Sequence, residues 1–103
     1  MASSKGNLEE KDLRIKAWLE DKKKLSLLLE EARNRPTKTL LINLYLKSKE
    51  SANVEELEAE TESVMSITFP RTGSLEQRIK DIQKQCLNQL GDLLTPELIN
   101  KLN

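Results

Sequence analysis

The spacing of leucine constrains this chain more than any other feature. Nineteen of its 103 residues are leucine, against three aromatic residues, three glycines and three prolines. Chains rich in Leu, Glu and Lys and poor in glycine and aromatics build helices that pack along apolar stripes. Sheet folds draw on more Val, Ile and aromatic side chains than are present here. The expectation is therefore a mostly α fold, a small helical bundle with a long N-terminal amphipathic, coiled-coil-like helix and a C-terminal helix, forming one domain over 1–103.

The first helix is predicted over about 7–34, after a disordered 1–6. Asn7 is its cap, with Glu10 three residues on in the reciprocal capping position. With Leu8 at heptad position a, the a sites are Leu8, Ile15, Lys22 and Leu29, and the d sites are Lys11, Trp18, Leu25 and Ala32. Six of these eight are apolar, which fits an amphipathic helix of about 26 residues, or roughly 39 Å at 1.5 Å per residue. Lys22 interrupts the stripe, either laying its stem along it or setting the register of a partner helix. Arg35-Pro36 ends the helix, because the residue before proline is pushed out of the helical region.

The segment 37–49 is ambiguous. Leu40, Leu41, Leu44 and Tyr45 suit a helix face with Thr37 as cap, and leucine density favours that reading. Yet Leu40, Ile42, Leu44 and Leu46 also alternate as a half-buried strand would. The alternative fold is then α+β, with strands near 40–46 and 64–69. An acidic helix is predicted over about 53–63, capped by Asn53. Its Glu56/Glu60 and Glu58/Glu62 pairs repel at spacing four, so it needs help from elsewhere. Residues 69–73 read as a flexible joint. Two C-terminal helices follow: about 74–91, opened by the Ser74/Gln77 capping box and ended by Gly91, and about 95–102, started by Thr95-Pro96.

Charge is balanced overall, with seventeen basic and seventeen acidic side chains, but not locally. Residues 1–52 hold twelve basic and eight acidic side chains, a balance of +4. Residues 53–70 hold five glutamates and no base, a balance of −5. The acidic stretch is expected to fold near a basic surface of this chain or of a partner.

Chemistry-bearing patterns are scarce. There is no histidine and one cysteine, so neither an internal disulfide nor an ordinary zinc site is available, and an intracellular location, cytoplasmic or nuclear, is expected. Cys86 lies on an apolar stripe, where a thiol behaves as a small hydrophobe. No phosphate-binding glycine loop occurs, and no apolar run approaches the roughly 20 residues that span a bilayer. Leu25-Ser26-Leu27-Leu28-Leu29 and Leu90-Gly91-Asp92-Leu93-Leu94 match LxxLL, a spacing that any leucine-rich helix produces by chance. No catalytic residue, metal, cofactor or small-molecule substrate is expected.

These features predict a non-enzymatic protein–protein interaction module, an adaptor or assembly subunit that pairs amphipathic helices with a second copy or an obligate partner. One binding stripe is Leu8, Ile15, Trp18, Leu25 and Leu29. The other is Leu75, Ile79, Ile82, Cys86 and Leu90. So small a chain is expected to need that partner to complete its core. The alternative is a nucleic-acid-associated regulatory factor using the basic N-terminal half, although the base is scattered among carboxylates rather than clustered.

Overall fold

In a computed structural model, backbone is described for residues 2–50 and 53–102, and side chains for 10–50 and 53–102. The predicted disorder over 1–6, the Asn7 cap and the place of Leu8 in the stripe lie outside the residues described with side chains. Among the described residues six α-helices and one 3-10 turn follow in order: α1 (Ala2–Glu20), α2 (Lys22–Glu31), α3 (Pro36–Ser48), α4 (Val54–Met65), α5 (Leu75–Leu90), the turn Gly91–Leu93 and α6 (Pro96–Leu102). No strand occurs among the described residues, so the α+β alternative is overturned and 40–46 is helical. The reason is visible in burial: Leu41, Ile42, Leu44 and Tyr45 all face the core, a helical rather than an alternating pattern. The 64–69 run is not a strand either, since α4 continues to Met65 and ends in a left-handed Ser66 (φ 57°).

The long N-terminal helix needs correction. Instead of one helix over 7–34 there are two, and Asp21 separates them in an extended conformation (φ −99°, ψ 119°). Its Oδ1 accepts from the backbone N–H groups of Lys23 and Lys24 at 3.0 and 3.3 Å, a cap worth about 1 kcal/mol to the helix it starts. The break rotates the second half of the leucine stripe. Leu28 and Ala32 enter the core beside Ile15, Trp18 and Leu19, while Leu25 and Leu29 pack on its edge. Lys22, placed at a core-facing site by the heptad, is exposed in the first turn of α2.

Other caps follow the sequence more closely. Asn53 accepts from Glu55 and Glu56, Ser74 from Gln77, and Thr95 from Leu98. Two starts and stops differ. Pro36, not Thr37, opens α3, since proline suits the first helical position. Gly91 stays right-handed (φ −56°) and leads into the 3-10 turn rather than terminating the helix with a left-handed cap. The helices fold back on one another: the radius of gyration is 13.8 Å, near the ~13 Å of a compact chain this long. Helix α3 packs most extensively against α5, with α1 and α4 also lying against α5. Two buried hydroxyls in this assembly, Ser48 and Thr61, donate back to the carbonyls of Tyr45 and Leu57 and so leave no orphan group.

Candidate functional site

The two predicted stripes are largely this chain's own core. Ile15, Trp18, Ile82, Cys86 and Leu90 are buried, Leu25, Leu29 and Ile79 are half-buried against them, and Leu75 alone stands out at 62% exposure. Both LxxLL runs are turned inward too, with Leu28, Leu90 and Leu93 fully buried. Burial pushes the Cys86 thiol up to about 12, so it stays protonated at neutral pH and packs as a hydrophobe. Burial, with Glu20 nearby, likewise raises Tyr45 to about 12.

What the sequence reading missed is an ionic cluster linking α4, α5 and the connection between them. Glu58, at 1% exposure, is gripped by the Arg78 fork, Nε to Oε2 at 3.1 Å and a terminal nitrogen to Oε1 at 2.6 Å. Arg71 reaches the same carboxylate through Nε at 3.3 Å. Its two terminal nitrogens grip Glu62 at 2.6 and 2.9 Å, the bidentate geometry that planar guanidinium favours. Glu62 also accepts from the Phe69 backbone N–H at 2.6 Å, and Arg71 returns a bond to the Phe69 carbonyl at 3.0 Å. The 69–73 segment, expected to be a flexible joint, is thus tied to α4, and with Glu60 facing Lys47 three of the five glutamates find cations within the chain.

The hydrogen bond from Arg71, then that from Phe69, holds Glu62 at about 2, below its ordinary 4.5. A carboxylate lowered on folding stabilises the folded state fully above its unfolded value and loses that contribution as pH falls through the folded one. The stability difference between the wild type and Glu62→Gln is therefore expected to be constant near neutrality and to shrink between pH 4.5 and 2. Urea denaturation at pH 6 and at pH 3 checks it, and a difference that does not change with pH would contradict the pairing.

A solvent-facing feature with apolar character lies between α3 and α4. Leu40 is 49% exposed over a shallow groove lined by Leu44 and Val64, with Lys47, Glu60 and Glu50 at its rim. Lys47 and Glu60 face each other across it at 3.7 Å, each about half exposed. Leu13, Leu27 and Leu75 are also exposed, on three other helices.

The N-terminal basic excess is partly neutralised from within. Lys38 donates to the Gln89 carbonyl at 2.6 Å and to Asp92 at 3.2 Å, and Lys47 meets Glu60, while Lys49 pairs with Glu20 inside the same half. Among the described residues no group of three or more Cys, Asp or Glu side chains is placed to hold a metal ion, and no helix is long and apolar enough to cross a membrane. Comparison with protein families, curated proteins and solved structures finds no match to this chain.

Proposed function

We propose that this chain is a non-enzymatic helical interaction module that associates with a second copy of itself through the α3–α4 face. The observation that carries the reading is Leu40, a large apolar side chain half exposed on a helix whose neighbours Leu41, Ile42 and Leu44 are all buried. What sets Leu40 apart from the singly exposed leucines is that it continues into a groove lined by Leu44 and Val64, and a contiguous apolar patch marks an interaction site. A two-fold interface requires a patch complementary to itself. This patch places Lys47 on one helix and Glu60 on the other, flanking the apolar centre, so two copies related by a two-fold axis can exchange those partners. Most of the two apolar stripes is buried within this chain, which leaves the α3–α4 face as the surface offered to the second copy.

Sedimentation equilibrium is the test. The wild type is expected to be partly dimeric at high-micromolar concentration, and Leu40→Glu monomeric. Because Leu40 is half exposed, the same change should leave unfolding stability within roughly 0.5 kcal/mol of wild type. A wild type that remains monomeric across that range, or a Leu40→Glu variant that still dimerises, removes the assignment.

A further inference from the structure

Independently of the α3–α4 face, we infer that residues 67–72 form a strap that opens and closes as a unit on the folded helical body, held by an ionic latch at Arg71. Both ends of the strap carry backbone pivots: Ser66 is left-handed at φ 57° and Gly73 at φ 95°. Between them the chain has no regular secondary structure, and only Phe69 is buried. A cleft runs between the strap and α5, lined by Ile67 and Phe69 on one side and by Asp81, Lys84 and Gln85 on the other. The strap is thus fixed mainly to α4, through Phe69 and through Arg71, and stands off α5.

The ionic cluster has two tiers that separate at Arg71. The inner pair, Glu58 with Arg78, joins α4 to α5 and is nearly closed to water, at 1% and 14% side-chain exposure. The outer pair, Glu62 with Arg71, joins α4 to the strap and meets solvent, at 20% and 43%. When Arg71 swings away with the strap, Glu58 keeps the Arg78 fork and Glu62 turns to water. No charge is stranded in the interior, which is the usual obstacle to opening a buried ionic network. Because the outer pair is solvent-accessible, dissolved salt screens it while leaving the inner pair much less affected. Opening releases Phe69, the one buried side chain of the strap, from the core, so the latch governs exposure of apolar surface that the closed chain hides.

Native-state amide hydrogen exchange on the full chain tests this, because the Phe69 N–H reports strap closure and the Ile42 and Ile82 amides report the helical body. In Arg71→Gln, exchange at Phe69 is expected to rise about tenfold or more, the scale of losing a charge-assisted fork, with Ile42 and Ile82 unchanged. Arg71→Lys, which keeps the charge without the fork, should give a smaller rise. Added sodium chloride should accelerate Phe69 selectively in the wild type. The inference is overturned by Phe69 and Ile82 accelerating together, by a Phe69 amide indifferent to Arg71→Gln, or by an Arg71→Gln chain that does not fold.

Discussion

Replacing Trp18 by alanine is expected to lower the unfolding free energy by about 3–5 kcal/mol, the usual cost of removing a large buried aromatic. Domains of this size are stable by roughly 5–15 kcal/mol, so the loss is a large fraction of the total and the urea midpoint should fall steeply. Trp18 is 3% exposed at the point where α1 meets the core, next to Ile15 and Leu19 on the same helix. The chain has only two other aromatic residues to fill volume. Leucine-rich surroundings cannot collapse around so large a void without moving helices, so the cavity cost adds to the lost transfer energy. Lys22→Ala, four residues on but exposed, should change stability by no more than about 0.5 kcal/mol. Urea midpoints of the two variants decide the matter: similar values would mean that Trp18 is not in the core.

The second large effect is expected at Glu58. Glu58→Leu leaves the Arg78 guanidinium without its carboxylate in a site nearly closed to water, and removing one member of a buried pair costs about 3 kcal/mol or more. The lower end applies here, since the Arg78 side chain keeps 14% exposure and a path to solvent. The double variant Glu58→Leu/Arg78→Leu should be more stable than Glu58→Leu alone, because two apolar side chains at the seam leave no unpaired charge. A double-mutant cycle measures the coupling directly. If the double variant is less stable than either single one, the pair is not acting as a unit between α4 and α5.

How much of this was legible in the sequence depended on the distance over which each feature is determined. Helix starts at Asn53, Ser74 and Thr95 are set by a side chain and a backbone two or three residues away, and these were readable. The break at Asp21 is equally local, but three lysines follow it, and cations in a first turn oppose the helix dipole. The heptad therefore ran on through it, and stripes that were continuous on paper became the inner and edge faces of two helices. Ile15, Trp18, Ile82 and Leu90, assigned to a binding surface by their helical period, are buried in the core of this chain. An apolar period alone cannot tell a core from an interface. Exposure of Leu40 depends on where α4 comes to rest, which no local pattern records. The ionic cluster leaves only a partial trace in the sequence: Glu58 and Glu62 repel at spacing four, and the only arginines beyond Arg35 are Arg71 and Arg78. Matching that acidic pair to those two forks needed the path of the chain between them.

The burial of Cys86 gives the molecule its own clock. Enclosed, and protonated at neutral pH because its pKa is pushed up to about 12, the thiol cannot meet a reagent in solution until the helices around it part. Cys86 is fully buried on α5, whereas the latch joins the strap to α4. The rate at which a thiol reagent consumes Cys86 then records how often the core around α5 opens. Set beside amide exchange at Phe69, it separates two motions that a single melting curve would merge.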